Sequence, residues 1–393
     1  MEDKDTSRQQ STGFQKERTM PVNRIVFTGD VLRPNVAGTR PTQHHNIRWL
    51  RNLLGTQLEM ATNLPVESIS WNCGGVQDGR LGDDDISLIY RAFGLRVDIR
   101  NWARIHDIDR LPQQVDELFR RLFQNALVVG FEMPPYLRRM FSRFGILYIN
   151  VMLHPVRFLD DLLLTFSASE PSLQERLFAH RIQEPFIRTI AGLQRAAAAR
   201  SDNTQIEPDS ALFLMQTWYD QSQIQDGIFV DSMNFLNDIA AYAKQYREFL
   251  VKEHPLEPNP ATLFMAATIP NMRLVKGNTY TFMSRPEIIS VGTLSSSVGY
   301  EAQYFDKKAQ FFLRPPMQLR RGPDDPEDAQ IGIQDMFLTA DFWREVLTPI
   351  LPVTNSDGVT VPFKPNRLRS SIRSFWNFNE IDTDIAVRAA KAG

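Results

Sequence analysis

One pattern runs twice along the chain and limits what it can fold into. Short apolar bursts, each ending at a polar residue or a glycine, alternate with stretches of helical period. In the first run, residues 24–30 (Arg-Ile-Val-Phe-Thr-Gly-Asp), 126–132 (Ala-Leu-Val-Val-Gly-Phe-Glu) and 146–153 read as buried strands. Between them, Ile47, Leu50, Leu53, Leu54 and Leu58 share one face of a helix expected over 44–60. Further helices are expected over 84–93, 115–123 and 136–144, the last opened by Pro134-Pro135 and stopped by Gly145. Strand, helix, strand at this spacing is a βαβ unit, which requires parallel strands. Residues 173–200 read as helical, with an interruption near Pro185, and 201–210 as a polar linker.

The pattern then restarts. Strands are expected over 211–215, 249–252, 288–291 and 309–313, and helices over 231–246, 261–266 and 298–305. Residues 331–351 and 367–375 read as mainly helical. The expected fold is therefore α/β: two Rossmann-like domains facing a cleft, with C-terminal helices. The first would span 21–200 and the second 211–365, between a disordered arm at 1–20 and a helical tail at 366–393. The arm mixes four basic and four acidic side chains with almost nothing to bury.

Composition narrows the function. The net charge of −2 lacks the basic surplus that a nucleic-acid-coating surface needs. A lone cysteine, Cys73, leaves no intramolecular disulfide and no cysteine-rich zinc site. No run of about 18 apolar residues is present to span a membrane, and the N-terminus has no apolar signal core. A soluble cytoplasmic protein is the expectation. Asp83-Asp84-Asp85 precedes a helix, where carboxylates favour the positive N-terminal end; metal binding is the less favoured alternative.

Ligands in open parallel sheets bind beyond the carboxyl ends of strands. That places Glu132, His154, the 216–222 turn, His254 and the 295–297 turn at candidate positions. Ser295, Ser296 and Ser297 stand between a strand and a helix. There backbone N–H groups and hydroxyls suit a phosphate, although a single serine would suffice as a cap. His254, in Lys252-Glu253-His254-Pro255, shares a domain with that turn; His154-Pro155 does not. Asp220 follows the first strand of the second domain and is either a nucleophile or an Asx-turn residue. Asp226 and Asp231 compete with it, Asp231 more as a helix cap. Glu132, at a strand tip, suits acid or base work if buried. Arg157 either pairs with Asp160-Asp161 or grips an anionic sugar.

Several segments together carry a resemblance. Gly130-Phe131-Glu132-Met133-Pro134-Pro135, the 154–161 segment (His-Pro-Val-Arg-Phe-Leu-Asp-Asp), Gln216-Thr217 with Asp220 and Ser222, Lys252-Glu253-His254-Pro255 and residues 295–302 occur in that order. The chain resembles the retaining β-Kdo glycosyltransferases of bacterial capsule and O-antigen assembly, over roughly residues 24–376. The resemblance implies a GT-B-like fold, CMP-Kdo as donor and no cofactor or metal. It implies that His254, Ser295, Ser296 and Ser297 hold the CMP phosphate, with Lys252, Gln216 and Arg157 among the substrate-binding residues. Asp220 matches the covalent nucleophile, with Asp231 as the alternative, and Glu132 matches the acid or base for the acceptor hydroxyl. Glu301 matches a position that reaches the nucleotide ribose. The implied acceptor is a lipid-linked or other glycan, and the enzyme would work at the inner face of the inner membrane. Arg138, Arg139 and Arg143 on one helix offer a peripheral contact to anionic lipid. The 216–220 turn departs from the family in carrying two bulky aromatics, Trp218 and Tyr219. An inverting, sialyltransferase-like CMP-sugar transferase and a non-catalytic assembly scaffold are the alternatives.

Overall fold

Two sheets with surrounding helices carry the chain in the computed structural model. It describes residues 21–35, 43–72, 80–200, 205–254, 259–355, 364 and 366–372. The arm expected over 1–20, Cys73, Pro255 and the tail beyond Ile372 lie outside the described residues.

The first sheet has six strands in the order Ile331–Ile333, Leu164–Ala168, Leu147–Leu153, Ala126–Phe131, Arg24–Gly29, Val66–Ser68. The last four are mutually parallel, and the other two join antiparallel. The second sheet is wholly parallel, in the order Met272–Leu274, Phe249–Lys252, Ser210–Leu214, Ile288–Thr293, Lys308–Phe311. Parallel strands are covered on both faces, which is why Ile25-Val26-Phe27 and Leu127-Val128-Val129 are fully buried without alternation. Helix Gln43–Thr62 turns Ile47, Leu50, Leu54 and Leu58 into that core.

Three of the departures from the sequence expectation bear on how the two units divide the chain. Leu164–Ala168 is a strand that no periodicity announces, because an antiparallel neighbour needs no crossover helix. Ile331–Ile333, in a stretch read as helical, is a three-residue strand of the first sheet. It falls inside the span 211–365 that the sequence reading gives to the second domain. From there the chain stays with the first core, where Trp343, Val346 and Leu347 of helix Ala340–Leu347 are buried. The helix expected over 231–246 is confined to Leu236–Ala243. Ahead of it, the Asp231 carboxylate accepts the Met233 N–H at 2.8 Å and holds a turn.

Two acidic clusters serve helix ends. Asp85 accepts the Gly82 N–H at 2.8 Å and Asp83 accepts the Trp71 indole N–H at 2.6 Å, so the acidic triplet supports helix Asp83–Ala92. Asp161 accepts the N–H groups of Leu368 and Arg369 at 2.9 and 3.0 Å, at the start of helix Arg367–Ile372.

A small ribbon joins the two units. Strands Ile224–Gln225 and Ile228–Phe229 pair antiparallel and reach helix Ile99–His106 of the first unit. Phe229 and Trp102 have ring centroids 6.1 Å apart. Gly227, at the ribbon's turn, has φ +77°, and a Cβ there would lie 3.3 Å from the Arg104 Cα. Only glycine meets both conditions without strain.

Candidate functional site

The turn after strand Ser210–Leu214 and the turn after strand Ile288–Thr293 lie side by side, because these strands are direct neighbours in the parallel sheet. Gln216 ties them together. It is buried, and its Oε1 accepts the Ser295 backbone N–H at 2.8 Å. Its Nε2 faces Asp220 Oδ2 at 3.4 Å, Ser222 Oγ at 3.3 Å and Ser295 Oγ at 3.4 Å. Ser222 donates its N–H to Asp220 Oδ1 at 2.9 Å, and the two oxygens Ser222 Oγ and Asp220 Oδ1 are 2.8 Å apart. Ser222 Oγ and Ser295 Oγ are also 2.8 Å apart. The result is one hydrogen-bonded cluster holding Gln216, Asp220, Ser222 and Ser295. Asp220 is thus oriented by an Asx-type turn, yet it remains half-buried rather than sealed in the core.

Ser296 and Ser297 stand at the entrance to helix Val298–Ala302. The Ser296 N–H donates to Thr293 Oγ1 at 3.2 Å, and Ser296 Oγ faces the Val298 N–H at 3.4 Å. Ser297 makes no side-chain cap. Lys252 is buried at the end of its strand, and its carbonyl accepts the Met215 N–H at 3.0 Å. His254 is half-buried two residues further on.

Glu132 lies across the junction, at the end of strand Ala126–Phe131. Its φ of +47° is a left-handed conformation unusual for a side-chain-bearing residue. Strain of this kind is held by surrounding contacts. The Glu132 N–H donates to the Val151 carbonyl at 2.8 Å, and the next N–H, of Met133, to Asn150 Oδ1 at 2.9 Å. Burial pushes the Glu132 carboxyl above the usual glutamate range. The positive charges of Arg33 and Arg157 pull it down, and the Asp220 charge pushes it up again. The two candidate carboxylates therefore feel one another.

Arg33 has no sequence signal beyond its place just past the first strand. Its guanidinium faces the Tyr219 carbonyl at 3.4 Å and Gln221 Oε1 at 3.5 Å, and lies 4.7 Å from the Trp102 ring. It therefore bridges the two units beside Glu132. Behind it, Asp30 is buried and accepts from Leu32 N–H (3.2 Å), Trp102 Nε1–H (2.8 Å) and Tyr136 O–H (3.0 Å). Burial raises its pKa to about 6 despite these donors and Arg33.

Arg157 and Glu301 meet at a second contact between the units. Glu301 is 2% exposed, and its Oε1 accepts the Arg157 backbone N–H at 2.5 Å and the Tyr280 hydroxyl at 3.1 Å. Burial lowers the Arg157 pKa to about 10, against the opposing pull of Glu301 and Glu132. His154, the other His-Pro histidine, belongs to the core. Its Nδ1 accepts the Val156 N–H at 3.1 Å, and burial lowers its pKa to about 3, so the ring is neutral.

Comparison with known proteins adds a remote likeness. No protein-family profile matches the chain, and no curated protein matches it by sequence. Solved structures that resemble it include two described as KpsC of Thermosulfurimonas dismutans. The β-Kdo 2,7 transferase superposes with a TM-score of 0.31 at 13% identity, over 50% of this chain and 67% of that one. The β-Kdo 2,4 transferase gives 0.30 at 13%, over 56% and 78%.

Among the described residues, no group of three or more His, Cys, Asp or Glu side chains is placed to hold a metal ion. No described helix is long and apolar enough to cross a membrane. The arginines of helix Pro135–Arg143 are largely engaged. Arg139 pairs with Asp107 at 2.7 Å, Arg143 pairs with Asp116, and Arg138 is half-buried. That helix offers a lipid surface much less charge than its sequence suggests.

Proposed function

We propose that the protein is a glycosyltransferase of GT-B-like architecture that moves Kdo from CMP-Kdo to a glycan acceptor with retention. The observation that carries the proposal is the Gln216 cluster. It joins a carboxylate turn and a serine turn at the carboxyl ends of adjacent parallel strands, and a second, half-buried carboxylate in the other unit, Glu132, feels the Asp220 charge. The CMP phosphate would lie against Ser295, Ser296 and Ser297 with His254, where hydroxyls and backbone N–H groups stabilise the leaving dianion.

In the first step an Asp220 oxygen bonds to the anomeric carbon of Kdo as the bond to the phosphate oxygen breaks, and CMP departs. In the second, an acceptor hydroxyl attacks the same carbon and the Asp220 bond breaks. Glu132 takes the hydroxyl proton. Two displacements give net retention. Asp231 is the less suitable nucleophile, because it stands outside the Gln216 cluster, in the turn before helix Leu236–Ala243. Glu301 and Arg157 would set the angle between the units rather than touch the ribose, since Glu301 already accepts the Arg157 N–H across the junction and the Tyr280 hydroxyl within its own unit. A lipid-linked acceptor would be met at the cytoplasmic face of the membrane.

The test is turnover of CMP-Kdo by the purified chain, read as CMP release, with CMP affinity measured alongside. Asp220→Asn should abolish release and leave CMP binding nearly intact. Full turnover by that variant with an inverted product would favour the sialyltransferase-like mechanism. Absence of both CMP binding and turnover in the wild type would remove the transferase proposal.

A further inference from the structure

Beside the Gln216 cluster lies a cavity of about 550 Å³, within the range of about 300–1,000 Å³ usual for small-ligand sites. It lies between the units. Helix Ile99–His106 contributes Arg100 and Arg104, four residues apart and so on one face of the helix. The second unit contributes Trp218, Phe229, Asp231 and Asn259. Of the Gln216 cluster, Gln216 lines it while Asp220, Ser222 and Ser295 do not, so the cavity adjoins that cluster without containing it.

The lining specifies a ligand class. Two positive side chains face one negative one, Asp231, whose Oδ1 is already bonded to the Met233 N–H. Arg100 and Arg104 are exposed at the rim, and neither makes an ion pair among the described residues. The Arg100 guanidinium lies 5.8 Å from the Trp218 ring. Trp218 and Phe229, with centroids 5.8 Å apart, give the cavity an aromatic wall. Asn101, Thr217 and Asn259 add neutral polar groups to the lining; Asn101 Nδ2 donates to the Arg96 carbonyl at 3.1 Å and Asn259 Oδ1 accepts the Ala261 N–H at 3.0 Å, so the Thr217 hydroxyl and the Asn101 amide oxygen are the ones that can read sugar hydroxyls. A flat apolar wall, paired guanidinium groups and scattered amides suit a saccharide ring that carries an anion.

We propose that this cavity binds an anionic saccharide, a pyranose bearing a carboxylate or a phosphate, with the anion on Arg100 and Arg104 and the ring against Trp218. Its use as the acceptor subsite rests on the transferase proposal, because a ring held here adjoins Gln216 and therefore the Asp220 turn. Binding itself does not depend on that proposal. One of the two aromatics that set the 216–220 turn apart in sequence, Trp218, then has a purpose as a wall of the cavity.

The experiment is a titration of the full chain, by calorimetry and saturation-transfer NMR, with glucuronic acid, glucose 6-phosphate and glucose. At least one of the two acids should bind saturably, and at least about tenfold more tightly than glucose. A preference between the acids tells a carboxylate from a phosphate ligand. Arg100→Gln and Arg104→Gln should each weaken the acid about tenfold, the loss of one charge-assisted bond. Arg104→Lys should recover part of it. Both arginines are exposed, so the exchanges leave the core untouched, and CMP titration and melting of each variant check this. Equal binding of acid and glucose, no binding of either acid at millimolar concentration, or acid binding unchanged in the double Gln variant would overturn the proposal. Acid binding in a chain that does not bind CMP would retain the cavity site and remove the transferase reading. CMP turnover without acid binding would do the reverse.

Discussion

Replacing Gln216 by leucine tests the hydrogen-bonded cluster at its centre. Leucine is close to glutamine in size but cannot accept the Ser295 N–H, which Gln216 Oε1 now takes at 2.8 Å. Ser295 is 1% exposed, so water does not replace that acceptor. A buried donor left without a partner costs about 1–3 kcal/mol. The three Nε2 contacts, at 3.3–3.4 Å, are longer than good hydrogen bonds and add little. Gln216→Leu should therefore lower stability by about 1–3 kcal/mol, read as a lower urea midpoint with an unchanged slope. CMP affinity should fall with it, because the serine turn is no longer held. Gln216→Glu separates the two effects. It keeps an acceptor for the Ser295 N–H but sets a second anion beside Asp220, so it should spare stability more than turnover. An unchanged midpoint in Gln216→Leu would show that the Ser295 turn is held by something else, and the cluster would lose its organising role.

Three further outcomes follow from the same geometry. Asp30 titrates near pH 6 when folded and near 3.8 when free, so folding retains its proton; stability should fall by about 3 kcal/mol as pH rises from 4 to 6 and then level off. Asp30→Asn should remove that slope in thermal melts, and a slope unchanged in the variant would assign it to another group. Glu132→Gln should cut transfer by about 10²–10⁴ while sparing CMP binding. In the wild type, the acidic, rising limb of the rate profile should lie above the ordinary glutamate range, because burial raises the Glu132 pKa and the base must be ionised; a limb at the ordinary value would contradict Glu132 as the base. Gly227→Ala should destabilise the ribbon by about 1 kcal/mol or more, since alanine meets both the positive φ and the Arg104 backbone; an unchanged melting temperature would contradict that contact.

The parallel strands are legible in the sequence because burial on both faces forces continuous apolar runs such as Leu127-Val128-Val129 and Leu212-Phe213-Leu214. The helices between them carry their period openly. The Leu164–Ala168 and Ile331–Ile333 strands are not legible, since a short antiparallel strand needs no crossover helix to announce it, and Ile331–Ile333, at the sheet edge, is only three residues long. The site divides the same way. Strand-end residues such as Glu132, Gln216 and Ser295 are found by asking where apolar runs stop. Arg33 and the Arg100–Arg104 pair are not, because nothing local in 30–35 or 99–106 says that these side chains meet the 217–231 segment. The two His-Pro dipeptides look alike in sequence and part only in space: His154 is sealed in the core, whereas His254 ends a strand of the second sheet.

The most direct measurement is the intact mass of the protein after brief exposure to CMP-Kdo without acceptor. Glu132→Gln is the best form to use, because slowing the second step allows the first product to accumulate. A retaining mechanism through Asp220 predicts a mass increase of one Kdo residue, mapped to the peptide holding Asp220 and absent when Asp220→Asn is added. Release of CMP with no adduct and an inverted product, or an adduct mapped to Asp231, would contradict it.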